Sequence, residues 1–167
     1  GLASLKLFRI MDSGFNSIRN PESAIRNYEI PKPFSGKVIK IVDGDTYDVL
    51  TADLKTVRIR MNGIDAPEKK QAFGQKSKDH LASLCFGKKV LVKPYSYDRN
   101  KRLIADSFTA SNIDLSREMV RSGYAWHFKK YSSDKKLADD EDHARSVRAG
   151  LWADNEPVAP WIFRRKR

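Results

Sequence analysis

The alternation of apolar and polar residues predicts a series of short β-strands in the middle of the chain. The segment KTVRIRMNGI places Val57, Ile59 and Met61 on one face of a strand and Arg58 and Arg60 on the other. The segments KVIKIV and TYDVLT before it, and KKVLVKPY and RLIADSF after it, are also rich in strand-forming residues. The pattern therefore predicts five strands.

Three further segments have the spacing of helices. QAFGQKSKDHLASLCFG and NIDLSREMVRSG both end at a glycine, which is typical of a helix C-terminus. SSDKKLADDEDHARSVRAGLW turns Leu137, Ala144, Val147 and Leu151 inward. The resulting order, βββ-α-ββ-α-α, predicts an α+β fold in which three helices pack on a five-stranded OB-type β-barrel.

Two prolines indicate where the compact domain begins. Pro31 and Pro33 interrupt both helices and strand ladders, and the strand pattern starts directly after them. We therefore expect an N-terminal extension at 1–35, one barrel domain at 36–155 and a basic C-terminal tail at 156–167.

Composition points to a polyanionic partner. The 167 residues include 32 Lys and Arg against 21 Asp and Glu, a formal net charge of +11. Such a balance favours nucleic acid first and an anionic membrane second. Membrane association has little other support, because no apolar stretch could span a bilayer and no strong basic amphipathic helix is visible. The single cysteine, Cys85, excludes an intrachain disulfide and lies in an apolar helical context, so we expect it in the core.

Carboxylates near two strand ends suggest a site for a hard cation. IVDGDTYDV contains the dipeptide DG, and a hairpin turn alone accounts for an isolated acid beside it. Asp45 gains a second interpretation because NGIDAPE, after the third strand, contributes Asp65, the carbonyl of Ala66 and Glu68. Calcium prefers such oxygen ligands. The glycine position excludes an EF-hand loop, and neither paired cysteines nor an HExxH motif supports zinc.

Two arginines, Arg60 and Arg102, are candidates for binding a phosphate near these acids. Arg60 precedes Asp65 by five residues, and Arg102 follows a polar turn before an apolar strand. Arg58, on the same strand face as Arg60, lies farther from the acids. In a chain this basic, any one arginine taken alone is better explained as a solvated surface charge. Acids that bind a metal and arginines that bind a phosphate together suit phosphodiester cleavage.

The residues discussed so far are also those by which the chain resembles the staphylococcal nuclease, or thermonuclease, family. The resemblance covers about residues 37–153, and its motifs occur in the family's order. They are VDGDT, RMNGIDAPE, QAFG, DRNKRLIA, LSREMVRSGYAW and ARSVRAGLW, with weaker likeness in PWIFRRKR. The resemblance implies an OB barrel with three helices and calcium-dependent hydrolysis of DNA and RNA that leaves 3′-phosphate ends.

The same resemblance implies roles for individual residues. Asp45 and Asp65 would be calcium ligands together with the carbonyl of Ala66, and Asp43 would lie near the metal outside its ligand set. Glu68 would position or deprotonate the attacking water.

The substrate would meet a second set of residues. Arg60 and Arg102 would hold the scissile phosphate. The further substrate-binding candidates are Tyr131, Arg99 and Asn100, although a plain surface role explains Tyr131 equally well. The chain departs from the family at Lys129, where a second tyrosine is usual, and in the turn RNKR before Arg102.

A non-catalytic OB-fold module that binds nucleic acid is the alternative function. Clustered bare carboxylates would repel phosphates in a pure binder, whereas a bound cation reverses that repulsion, so the acids favour the enzyme. The resemblance further implies a secreted or periplasmic protein. We expect a monomer that acts on DNA or RNA without a stable protein partner.

Overall fold

The structure is a computed structural model that describes residues 29–166; the expected N-terminal extension lies almost entirely outside this range. Its strands are β1 Phe34–Asp43, β2 Thr46–Leu50, β3 Thr56–Met61, β4 Ile64–Asp65, β5 Lys89–Tyr97, β6 Leu103–Thr109 and β7 Trp126–His127. Its helices are α1 Gly74–Cys85, α2 Leu115–Arg121, α3 Lys135–Ser146 and α4 Pro160–Arg165, with a 3₁₀ turn at Gly150–Ala153. None of the described helices is long and apolar enough to cross a membrane.

Five of the strands close into a barrel in the order β1-β2-β3-β6-β5. Neighbouring strands are antiparallel except β3 and β6, which run parallel with Arg60 opposite Ile104. The predicted α+β fold with a five-stranded barrel is confirmed. The parallel pair matters for the site, because it brings the end of β3, which carries Arg60, beside the start of β6, which follows Arg102.

The barrel interior is built from the apolar positions of the alternating segments. Tyr47, Val49, Ile59 and Met61 are fully buried in it. Helix α1 closes one side of the barrel, and its last residue, Cys85, is buried in the same cluster, as its sequence context predicted.

A two-stranded sheet that the sequence pattern did not predict lies beside the barrel. Strands β4 and β7 pair antiparallel, with Ile64 opposite His127 and Asp65 opposite Trp126. Each strand has only two residues, too few for periodicity to be recognised. This pairing fixes the backbone of Asp65 in the interior, where the residue is only 2% exposed.

The C-terminal region differs from the expectation in two ways. Helix α3 ends at Ser146, so Val147 caps the helix and is 57% exposed; its predicted inward position was wrong because the helical face stops there. The segment expected only as a basic tail contains helix α4, with Pro160 at its first position. Trp161 of this helix packs edge-on against Trp126 at a ring distance of 5.5 Å.

Candidate active site

The site begins at the turn between β1 and β2. Asp43 accepts a 3.1 Å hydrogen bond from the amide of Asp45 through Oδ1, which stabilises the turn. A Cβ on Gly44 would lie 1.9 Å from Oγ of Ser77, so only glycine lets helix α1 pack this closely against the turn. The hairpin prediction is thus correct, and the turn packs closely against helix α1, a contact that the local sequence did not predict.

The side chain of Asp45 points inward and connects two parts of the fold. Its Oδ1 accepts a hydrogen bond from Oγ1 of Thr46 at 2.8 Å, and its Oδ2 accepts one from the amide of Ala66 at 2.8 Å. Asp45 is 5% exposed. The turn at the end of β1 and the segment after β4 are therefore joined through one carboxylate.

Arg60 lies between the two buried acids. Its Nη2 is 3.4 Å from Oδ2 of Asp45 and 3.5 Å from Oδ1 of Asp65. Its Nη1 donates to the carbonyl oxygens of Met61 and Ile64, both at 2.8 Å. The guanidinium is thus held rigidly where both carboxylates reach it.

Glu68 is positioned by the loop between β4 and α1. Its amide donates to Oε1 of Gln71 at 2.9 Å, and its carbonyl accepts from the amide of Gln71 at 2.8 Å. A Cβ on Gly74 would lie 2.1 Å from the same carbonyl. The Glu68 carboxylate forms a 3.0 Å ion pair with Nη1 of Arg164, a residue that sequence analysis had not singled out.

The same arginine also contacts Asp65. Its Nη2 is 2.6 Å from Oδ2 and its Nη1 is 3.2 Å from Oδ1 of that carboxylate. The only sequence signals for a structured residue here were the proline that opens α4 and the weak family likeness of the tail. Neither signal could indicate that the helix folds back on the acids.

Arg102, just before β6, is held by Asp98. The Arg102 side chain donates from Nε to Oδ2 of Asp98 at 2.6 Å, while its amide donates to Oδ1 at 2.9 Å. Asp98, which sequence reasoning had not assigned, therefore orients the arginine.

One cavity of about 460 Å³ brings the predicted phosphate and nucleotide contacts together. Its lining includes Arg60, Arg102, Arg99, Asn100 and Tyr131. Tyr131 is 70% exposed.

The second aromatic residue beside Tyr131 is not at the position that the family resemblance implied. Phe128, which the sequence analysis had not singled out, lines the same cavity and meets Tyr131 edge-on at a ring distance of 4.9 Å. Lys129, at the position where a second tyrosine is usual, forms a 3.5 Å ion pair with Glu141 instead. An aromatic wall is therefore present, although it is supplied by a neighbouring position.

The three aspartates of the site differ in proton affinity. Burial and the charge of Asp45 raise the pKa of Asp43 to about 8. Burial also raises the pKa of Asp65, although hydrogen bonds from Arg164 oppose that effect. For Asp45, burial is outweighed by the charge of Arg60 and by hydrogen bonds from Asp43 and Ala66, so its pKa is lowered. Asp45 is the acid most firmly held as an anion.

The donor chemistry fits a hard cation in part. Asp45 and Asp65 present carboxylate oxygens on either side of Arg60. The backbone of Ala66 lies beside Asp45, because its amide donates to that carboxylate. Within residues 29–166, no three His, Cys, Asp or Glu side chains approach closely enough to form a larger ligand set. Because calcium takes about six to eight oxygen ligands, water and substrate would have to complete the shell.

Comparison with known proteins identifies the family of the chain. Residues 58–154 match the staphylococcal nuclease homologue family. The chain belongs to this family, and the matched range includes Arg60, Asp65, Glu68 and Arg102.

Individual relatives cover most of the chain. An uncharacterised endonuclease of Haemophilus influenzae is 44% identical over 131 residues, which is 78% of this chain and 72% of the relative. An uncharacterised endonuclease of Escherichia coli O157:H7 is 40% identical over 132 residues, or 79% of this chain and 86% of the relative. A micrococcal nuclease of Shigella flexneri is 36% identical over 142 residues, which is 79% of this chain and 81% of the relative.

Proposed function

We propose that this protein is a calcium-dependent nuclease that hydrolyses phosphodiester bonds of DNA, RNA or both and leaves 3′-phosphate ends. One observation carries the proposal. The guanidinium of Arg60 contacts Asp45 and Asp65 and also lines the cavity that Arg102 lines. Candidate metal ligands and candidate phosphate ligands therefore meet at a single side chain. Family membership and the endonuclease and nuclease names of its relatives support the nuclease activity.

The acids would hold the cation and prepare the water. Asp45, Asp65 and the carbonyl of Ala66 would bind Ca²⁺, with Asp43 behind them. When bound, the ion supplies positive charge to a phosphate oxygen and makes a neighbouring water more acidic. Glu68 would orient the attacking water and accept its proton.

The arginines would hold and stabilise the phosphate. Arg60 and Arg102 would donate hydrogen bonds to the non-bridging oxygens, and these bonds strengthen as negative charge builds during attack. Water adds to phosphorus in line with the leaving 5′-oxygen, and the bond to that oxygen breaks. The departing oxygen takes a proton from solvent and leaves as a 5′-hydroxyl, and the phosphate stays on the 3′ side. Both guanidiniums are already fixed by their partners, so little reorganisation is needed during the reaction.

The cavity beside the arginines would receive the nucleotide. Tyr131 is an exposed ring at its edge, and stacking of a base on such a ring tolerates different sequences. Arg99 and Asn100, in the turn before Arg102, would contact the sugar or a neighbouring phosphate. The high net positive charge would draw the strand toward the site.

A cleavage assay on single- and double-stranded DNA and RNA tests the proposal. Each substrate is incubated with Ca²⁺, Mg²⁺ or excess chelator, beside the variant Glu68→Gln. We expect cleavage with Ca²⁺, none in chelator, and a loss of orders of magnitude in the variant. Full activity in chelator would exclude the calcium mechanism. Substrate binding without cleavage under every condition would favour the non-catalytic alternative.

A further inference from the structure

The guanidinium of Arg164 forms ion pairs with two acids of the candidate active site. It pairs with both oxygens of Asp65, at 2.6 and 3.2 Å, and with Glu68 at 3.0 Å. We propose that Arg164 competes with the divalent cation for these acids, so that helix α4 restrains metal loading. The inference rests on the proposed function, because it assumes that Asp65 is a metal ligand.

The contact is built into the fold. The ring of Trp161, three residues before Arg164, stacks on Phe128 at 5.2 Å with an interplanar angle of 6°. The same tryptophan packs edge-on against Trp126 in β7, the strand that pairs with Asp65. Helix α4 is therefore anchored next to the strand that carries the acid, and the reach of Arg164 follows from that anchorage.

The segment that leads into α4 is also held in place. Gln71, whose side chain already binds the amide of Glu68, donates a 2.6 Å hydrogen bond from Nε2 to the carbonyl of Val158. One amide side chain thus connects the Glu68 loop to the segment that leads into the helix. The C-terminal helix and the acidic loop are positioned by common partners.

Arg164 and a bound cation would make conflicting demands on Asp65. Calcium requires carboxylate oxygens at roughly 2.3–2.6 Å. In the structure, Oδ2 of Asp65 faces Nη2 of Arg164, while Oδ1 faces both Nη1 of Arg164 and, at 3.5 Å, Nη2 of Arg60. A divalent ion at this carboxylate would also be repelled by the adjacent guanidinium, and burial limits the screening of that repulsion. Loading the ion therefore requires Arg164 to withdraw.

The surroundings of Arg164 leave room for withdrawal. Its side chain is 34% exposed. It also lines a cavity of about 600 Å³ with Phe128, Lys129, Lys130, Tyr131, Trp161 and Arg165. Phe128 and Tyr131 line the 460 Å³ cavity as well, so a released guanidinium would face the side on which substrate phosphates are expected.

Calcium affinity is the quantity that separates competition from a purely structural ion pair. We would titrate the full chain, stripped of divalent ions, with Ca²⁺ by isothermal titration calorimetry. Arg164→Gln should tighten Ca²⁺ binding about tenfold, a change of roughly 1.4 kcal/mol. Arg165→Gln is the matched control: it removes the same charge from the same helix, and within residues 29–166 no carboxylate pairs with it. Its dissociation constant should stay within about twofold of wild type.

A second variant and a second readout cover the possibility of local unfolding. Arg164→Lys keeps the charge but lacks the planar fork that engages both oxygens, so its affinity should fall between wild type and Arg164→Gln. Because coupling is reciprocal, Ca²⁺ should also speed hydrogen exchange of the amides of α4 in wild type. Near-UV circular dichroism identifies any variant that has lost native packing.

The outcomes discriminate between this inference and the proposed function. Unchanged or weaker Ca²⁺ binding in folded Arg164→Gln, with cleavage still calcium-dependent, overturns the competition and leaves the nuclease intact. If neither wild type nor Arg164→Gln binds Ca²⁺ while cleavage persists in chelator, the calcium assignment and the competition both fail. Asp65→Asn gives the reference for a site that has lost a ligand.

Discussion

The carboxylate of Asp45 accepts a 2.8 Å hydrogen bond from the amide of Ala66, a residue 21 positions away. This contact joins the turn after β1 to the segment after β4, and it brings the oxygens of Asp45 next to the backbone of the proposed metal site. The fold therefore depends on a hydrogen-bond acceptor at position 45, whereas the proposed chemistry depends on its negative charge.

Asp45→Asn separates these two requirements. The amide oxygen can still accept from Ala66, so we expect the midpoint of thermal unfolding to stay within a few degrees of wild type. Loss of the charge should lower kcat/KM by at least about 100-fold and weaken Ca²⁺ binding, because a charged ligand is missing. Asp53→Asn, at an acid whose side chain is 67% exposed, is the control and should change neither quantity. Comparable activity in the two variants would argue against Asp45 as a ligand.

Arg60 and Arg58 provide a matched pair on one strand. Arg60 has a side-chain exposure of 14% and contacts both buried acids, while Arg58 is 45% exposed and pairs with Asp48 at 2.8 Å. We expect Arg60→Lys to lower kcat about 100-fold, because lysine cannot reproduce the bidentate geometry. Arg58→Lys should change kcat by less than about threefold, since Arg58 hydrogen-bonds to Asp48 and not to Asp45 or Asp65. Steady-state kinetics measure both, and equal losses would contradict the assignment of Arg60.

Gly74 tests whether the position of Glu68 matters. A Cβ at Gly74 would lie 2.1 Å from the Glu68 carbonyl, so Gly74→Ala must displace the loop. We expect a loss of about 1–3 kcal/mol in the free energy of unfolding. We also expect at least a tenfold fall in kcat, because small displacements of catalytic groups are costly.

The control for Gly74 is another glycine with a different constraint. Gly87 has φ +75° and open space around its Cβ position. Gly87→Ala should also destabilise the fold, by about 1 kcal/mol through its left-handed backbone. It should leave kcat unchanged. If both variants lost the same activity, general destabilisation rather than displacement of Glu68 would be the cause.

The raised pKa of Asp43 predicts that the stability of the fold depends on pH. Its pKa in the fold is raised to about 8 by burial and by Asp45, whereas an unfolded aspartate titrates near pH 4. Between these values the folded state binds more protons than the unfolded state, so the free energy of unfolding falls as pH rises from about 4 to about 8.

Asp43→Asn should flatten this decline. The amide oxygen can still accept from the Asp45 amide, and the side chain cannot ionise. Urea unfolding without divalent cations at about pH 5 and about pH 8 should give a difference smaller than wild type by on the order of 1 kcal/mol or more. Identical declines in the two proteins would assign the pH dependence to other groups.

The barrel was predictable because its signals are local. Alternation from Val57 to Met61 identifies a strand with one buried face, and a strand's two faces are set by its backbone whatever surrounds it. The same reasoning identified Asp45, Asp65 and Glu68 as acids next to strand ends. It missed the short β4–β7 pair, whose strands lie far apart in the sequence. It also missed Asp98, which orients Arg102 from only four positions away, because a side-chain contact across a polar turn leaves no periodic pattern.

The contacts of Arg164 with Asp65 and Glu68 show most clearly what the tertiary structure decides and the sequence alone does not. Residue types and periodicity were sufficient for the barrel, the family resemblance, and the list of acids and arginines, because each depends on neighbours within a few positions. The convergence of those residues depends on closure of the barrel, the parallel β3–β6 pair and the packing of Trp161 on Trp126 and Phe128. Such contacts join positions up to 99 residues apart, as in the pair of Asp65 and Arg164. Only packing in three dimensions decides which cation meets which acid.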